Sequence, residues 1–391
     1  MSGNTLYHQV KIMLDNYLPP EVDESTRERV ALLVIGIIEG KSASPARIAD
    51  ALETLGFSNA SAESIERRIR RIENDPEVTA SLCFHPFARA RLVYGHPSEL
   101  ILIIDPTTQE DRVVMLTVGI AYRGRTLPLA WAVWPGNAPL EGERFWERVE
   151  ALLALVAELL PKHVEVTWLA DRAFGTPAFT DLVTAHGWHY IVRVQGSTHY
   201  QDALGREGRI ADLVRCVGQR AKQRGLVFKK RGWRSAALVV CWGRAYNTPL
   251  CLVSDLKSGW HLAYLYRRRY AIEATFRDYK SRGWEWERGQ VTNLAHLECL
   301  LVAMALATWV TLSVGAQVAA QILARPATGR RRTDPYLAKR SLFTLGLMAL
   351  HKLLRGTAYF VLRWTFPEWN APNWNTQLHA HHARAFVLAS R

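Results

Sequence analysis

Cysteine is scarce. Cys83, Cys216, Cys241, Cys251 and Cys299 are spread over 391 residues, with no C-x2-C pair and no histidines at matching spacing. That excludes a zinc finger or ribbon and offers no disulfide framework, so these side chains are expected as reduced thiols of a cytoplasmic protein. No secretory leader is expected either, since the start is polar and mixes charge with apolar residues. Acidic residues are in short supply. Asp and Glu number 36 against 49 Lys and Arg, for a net charge of +13 and a pI of about 9.7. Such a basic chain matches a polyanion, because phosphate contacts supply most non-specific nucleic-acid binding. An anionic membrane surface or an RNA partner accounts for the charge equally well.

What is plentiful is core material: 49% hydrophobic residues and 14 tryptophans, in a length that suits two to three domains. Residues 299–323 carry no charged side chain, a run long enough to cross a bilayer. Thr308, Thr311, Ser313, Gly315, Gln317 and Gln321 dilute it, so a buried core helix is expected, with no membrane partner.

Near the middle, Tyr266, Arg269, Glu273 and Lys280 fall at the spacing Y-x2-R-x3-E-x6-K. On an α-helix, Arg269, Lys280 and Glu273 lie roughly 60°, 40° and 20° behind Tyr266, on one stripe. The stripe offers a carboxylate for a metal, two cations for phosphates and a phenol that donates. It is equally a solvated helix face with Arg269–Glu273 and Glu273–Arg277 pairs.

Two more carboxylates lie upstream. Residues 100–104 read LILII, a strand buried on both faces, and Pro106 is expected to stop it so that Asp105 sits near its end. Residues 164–170 read VEVTWLA, a second strand that ends at Asp171. Each aspartate alone reads as a helix cap or turn residue. Together with Glu273 they form a converging trio that repels unless a cation neutralises it, and Mg²⁺ or Mn²⁺ takes such oxygen ligands.

With Asp105 in IDPTT, Asp171 in LADRAFG and Glu273 in the spaced signature, the chain resembles the DDE transposases of bacterial insertion sequences, in the group related to insertion sequence four. The resemblance covers about residues 95–320. It implies an α/β fold with a ribonuclease-H-like catalytic core, a mixed sheet flanked by helices. It also implies two divalent metal ions, held by Asp105, Asp171 and Glu273 as the catalytic residues. The implied activity is cleavage at transposon ends and strand transfer into target DNA. Tyr266, Arg269 and Lys280 would contact phosphates, and a homodimer would act on double-stranded DNA in the bacterial cytoplasm, associated with the nucleoid. In the family an insertion-domain tryptophan holds a flipped base. That place falls near Leu250 here, which does not stack in the same way, so Trp242 or Trp233 would have to serve. A structure-specific nuclease and a non-cleaving DNA-binding descendant remain alternatives.

The organisation follows. Residues 1–95 form a helical, helix-turn-helix-like DNA-binding domain with helices at Thr26–Glu39, Pro45–Leu55 and Ala62–Glu73. The third carries Arg67, Arg68, Arg70 and Arg71, as a recognition helix would. Residues 96–195 are the first part of the core, in β-β-β-α-β-α-β order. Between Asp171 and Glu273 lie too many residues for a loop. A β-rich basic insertion is therefore expected at 196–258, with Lys229, Lys230, Arg231, Trp233 and Trp242 as DNA-binding candidates. Residues 259–324 are the second part of the core, including the Glu-bearing helix. Residues 325–391 are a basic C-terminal region that the resemblance links to dimerisation. Within it are Arg325, Arg330, Arg331, Arg332, Lys339 and Arg340, and His379, His381 and His382 read as a basic tail.

Overall fold

The computed structural model describes residues 3–324, 340–358, 361–363, 366, 368–373 and 376–377. The basic run 325–339 and the cluster His379, His381 and His382 lie outside the described residues.

The chain is a mixed α/β protein with a large mixed sheet flanked by helices. Six helices come first: α1 (Gly3–Tyr17), α2 (Glu24–Gly40), α3 (Pro45–Thr54), α4 (Ala62–Ile72), the short α5 (Ala80–Cys83) and α6 (His85–Gly95). α2, α3 and α4 match the three helices expected from the sequence, and α1 and α6 add to them. Ile65, Ile69 and Ile72 form the buried stripe of α4, at the spacing that puts them on one face.

The sheet begins with β1 (Glu99–Gln109), β2 (Val113–Tyr122) and β3 (Arg125–Pro135), an antiparallel meander. The β2–β3 turn holds Arg123 at φ 49° and Gly124 at φ 93°, the left-handed pair that matches hairpin twist. After α7 (Glu143–Leu159) come β4 (Glu165–Ala170), α8 (Pro177–Ala185) and β5 (His189–Arg193). Here β4 pairs in parallel with both β1 and β5.

The basic segment that follows supplies β6 (His199–Gln201), β7 (Glu207–Arg209), β8 (Arg220–Val227), β9 (Arg234–Cys241) and β10 (Leu250–Ser254). These strands do not build a sheet of their own. β10 pairs antiparallel with β5, so they continue the first sheet in the order β3-β2-β1-β4-β5-β10-β9-β8-β6-β7.

The chain then returns through α9 (Trp260–Tyr266), a 3-10 turn Arg267–Arg269, α10 (Tyr270–Arg277) and a π turn Asp278–Arg282. The uniform α-helix that the stripe assumed is therefore corrected: winding tightens at Arg269 and loosens before Lys280. Such local changes re-aim side chains and are common where function sits.

Last come α11 (Leu294–Ala324) and α12 (Leu342–Leu354). α11 is long and apolar enough to cross a membrane, yet its most apolar stretch is wholly buried within the protein. Trp309 donates from Nε1 to the Pro128 carbonyl of β3 at 2.8 Å, and Ser313 donates to the Arg363 carbonyl at 2.9 Å. α11 and α12 touch backbone to backbone. A Cβ on Gly346 would meet the Thr311 carbonyl at 1.8 Å, and one on Gly315 the Leu342 carbonyl at 2.2 Å. Only glycine fits at such a crossing.

Candidate active site

Leu100 to Asp105 are buried without a break in β1, as expected for a strand inside an α/β sheet. The strand does not stop at Pro106. It runs on to Gln109, with Asp105 opposite Thr117 and Pro106 opposite Leu116 in β2. The reason lies on the other side: pairing with β4 ends at Ile104–Ala170, so from Asp105 onward β1 has one open edge, where proline is tolerated.

That same register decides the site. Asp105 follows Ile104 and Asp171 follows Ala170, so the two aspartates leave the end of one parallel pair side by side, about 4.8 Å apart in strand spacing. Asp171 also caps the 3-10 turn Arg172–Phe174, accepting from the Ala173 amide at 2.8 Å. Asp171 is therefore a cap residue that also stands beside Asp105.

The third carboxylate comes from α10, which lies across β1, β2 and β3. Arg269 ties it in. Its Nη1 stands 3.4 Å from Asp105 Oδ2, and its Nη2 pairs with Glu273. Arg269 is only 8% exposed, and its guanidinium lies 5.1 Å from the Tyr270 ring centre. Glu273 keeps close to half of its side chain in solvent. The expected Arg269–Glu273 pair is therefore made, but it extends to Asp105 and is no free surface bridge.

Burial pushes the Asp105 carboxyl up to about 7; Arg269 opposes the rise, and the charges of Asp171 and Glu273 add to it. Asp171 and Glu273 thus both lie within electrostatic reach of Asp105. Thr117, opposite Asp105, is buried with its Oγ1 lacking a partner. Carboxylate and hydroxyl oxygens are the donor type that a hard divalent ion takes. Yet among the described residues no three His, Cys, Asp or Glu side chains are close enough to hold one. Arg269 supplies the positive charge between Asp105 and Glu273.

The other stripe residues make internal contacts. Tyr266 is buried, and its phenol is raised by desolvation first, with Asp171 and Tyr270 adding and Arg269 and Arg193 opposing. Lys280 donates from Nζ to the Thr108 carbonyl of β1 and pairs with Glu287 at 3.0 Å. Glu287 belongs to the 3-10 turn Trp286–Gly289 that follows. Trp284 is fully buried and donates to Thr308 Oγ1 at 3.0 Å. A second buried carboxylate went unnoticed: Asp278, paired with Arg125. No spacing rule signals it, since its partner lies more than 150 positions away.

The remaining candidates lie away from this trio. On α4, Arg67, Arg68, Arg70 and Arg71 are exposed; Arg70 pairs with Glu66 at 2.7 Å and Arg67 lies 3.6 Å from Glu63. Lys229, Lys230 and Arg231 form an exposed 3-10 turn between β8 and β9. Trp233 and Trp242 are half-buried, Trp242 donating to the Tyr246 carbonyl at 3.0 Å. Leu250 opens β10.

Comparison with known proteins follows this geometry in part. No curated protein matches the chain. The cryo-EM structure of the piggyBac transposase synaptic complex with hairpin DNA is a distant likeness, with TM-score 0.47 and 10% identity over 97% of this chain and 82% of that one. That is too slight to build on. Residues 147–310 match the family model described as the transposase DDE domain. The matched segment is less than half of the chain. It holds Asp171, Tyr266, Arg269, Glu273 and Lys280 and begins after Asp105. This match supports a DDE transposase.

Proposed function

We propose that the chain is a transposase of the insertion sequence four group, with Asp105, Asp171 and Glu273 as its catalytic carboxylates. It would cut double-stranded DNA at the ends of an element and pass the freed 3′-hydroxyl to target DNA. The observation that carries this reading is the end of the β1–β4 pair, where Asp105 and Asp171 emerge together within reach of Glu273. The strand order β3-β2-β1-β4-β5, with β1, β4 and β5 parallel, supports a ribonuclease-H-like core.

Asp105, Asp171 and Glu273 would hold the divalent ions, Mg²⁺ or Mn²⁺. Bound there, such an ion polarises water and offsets charge during in-line displacement at phosphorus. The protein's own contribution begins with Asp105. Burial favours its neutral form, and Arg269 draws it toward the charged form that a ligand must be. Arg269 holds Asp105 and Glu273 until a phosphate offers its guanidinium a better acceptor. Lys280 and Tyr266 flank the same strip and would steady the strand's phosphates. The exposed arginines of α4 would hold DNA at a distance from the cut, and a homodimer would bring both ends together.

The test uses labelled DNA carrying the source element's ends, Mg²⁺, and the protein beside its Glu273→Gln variant. End-specific cleavage by the wild type alone is expected. Equal cleavage by both would make Glu273 an ordinary salt-bridged residue and sink the reading. Cut ends that never join a second duplex would leave a nuclease in place of a transposase.

A further inference from the structure

Immediately beyond Asp171 lies a cavity of about 320 Å³ between the start of α8 and the β8–β9 turn. Arg172, Lys229, Lys230 and Arg231 line it, and none of the described residues around it is a carboxylate. Lys229 pairs with Glu207 of β7. Arg172, Lys230 and Arg231 make no ion pair among the described residues, so the cavity carries uncompensated positive charge.

Two features of its walls have no purely structural account. Thr176 is the N-cap of α8, yet its side chain makes no capping bond, and its Oγ1 is shut off from solvent without a partner. A buried hydroxyl left unpaired costs about 1–3 kcal/mol. Phe228, which leads into the cationic turn, sits in the left-handed region at φ 69° and ψ 39°. For a bulky residue this is strained by roughly 1–3 kcal/mol. Both costs fall on groups that face one cavity. The turn holds three cations in a row over it, and the positive end of the α8 dipole adds to their field. The backbone also approaches closely here, since a Cβ on Gly175 would meet the Arg193 carbonyl at 2.3 Å.

We propose that this cavity is a phosphate-binding subsite, which takes one phosphate of the DNA strand as it leaves Asp171. Arg172, Lys230 and Arg231 neutralise the phosphate, and Thr176 donates its orphan hydroxyl to a phosphate oxygen. The assignment rests on the DNA-processing reading of the trio next to it. The phosphate is either an internal diester or a terminal monoester, and both present the same oxygens.

The experiment measures binding of a labelled duplex of arbitrary sequence to the full chain in EDTA, over a series of salt concentrations. For K230A/R231A, the slope of log affinity against log salt is expected to shrink by about one, the amount for one lost phosphate contact. The control R89A/K162A, which removes two exposed cations near the far end of β4, should leave the slope unchanged. Thr176→Val keeps the side chain's size. It should weaken binding about three- to tenfold while its melting temperature stays the same or rises. An unchanged slope in K230A/R231A, an equal loss in the control, or full binding by a stabilised Thr176→Val would each overturn the subsite. Repeating the series with 5′-dephosphorylated duplex separates the sources: the K230A/R231A effect persists for a diester and vanishes for a terminal phosphate. If the subsite stands while wild type and Glu273→Gln cleave alike, the transposase reading has failed and the phosphate site has not.

Discussion

β1 buries six consecutive residues from Leu100 to Asp105, whereas β8 exposes Arg220, Lys222 and Arg224 at every second position. Both strands belong to one sheet. In the buried half, a charge must be matched in place, and Asp105 is matched by Arg269 from another part of the chain. In the extended half, water screens each cation, and Trp260 beneath Arg220 and Lys222, at 4.8 and 5.5 Å, serves to orient them. The lesson is about what a charge signifies in each place. A carboxylate that persists in the buried half is costly and points to chemistry, while a cation in the extended half is cheap and its position carries the information.

Four substitutions can break or sharpen that contrast. The largest effect is expected on catalysis: Glu273→Gln or Asp105→Asn should lower DNA cleavage by about a thousandfold or more, roughly 4 kcal/mol of barrier, read as the rate of nicking in Mg²⁺. Next is Arg269→Met, which leaves Asp105 buried without its cation. Urea unfolding at pH 8 should show a loss of about 3 kcal/mol, with a much smaller loss at pH 5, where Asp105 takes up a proton. A loss equal at both values would mean that Arg269 acts through packing alone.

Asp105→Asn should also change stability, in the opposite direction. The folded carboxyl sits near 7, above its ordinary value. The protein is therefore relatively stabilised below about pH 4 and loses that benefit as pH rises toward 7. The variant should be more stable than wild type at pH 8, by on the order of 2 kcal/mol, and equal to it at pH 4. Smallest is Lys222→Ala in the exposed half. Its stability should stay within about 0.5 kcal/mol of wild type, with no dependence on pH between 5 and 8. A larger change there would erase the distinction between the two halves.

Much of this was legible residue by residue. The apolar run before Asp105 and the β-rich run before Asp171 follow from periodicity and composition, and both are strands where strands were expected. The bounds went astray where a neighbour decided them. Pro106 reads as a stop, but the end of β4 leaves it an open edge on which the strand continues. The Y-x2-R-x3-E-x6-K stripe reads as one helix, but 3-10 and π turns divide it. Asp278 stands in no local pattern, yet it is buried and paired with Arg125 at the start of β3.

By itself, then, the sequence determined which segments alternate, which run apolar and which residue types stand at their ends, because those depend on side chains close along the chain. Tertiary structure alone decided that Asp105 and Asp171 emerge side by side, that Arg269 reaches back to Asp105, and that β10 adds the basic strands to the same sheet. Each of these rests on register or on contact between distant segments. Local propensity carries no information about register, since shifting a strand pairing by one step leaves every local preference satisfied while turning the side chains to the other face.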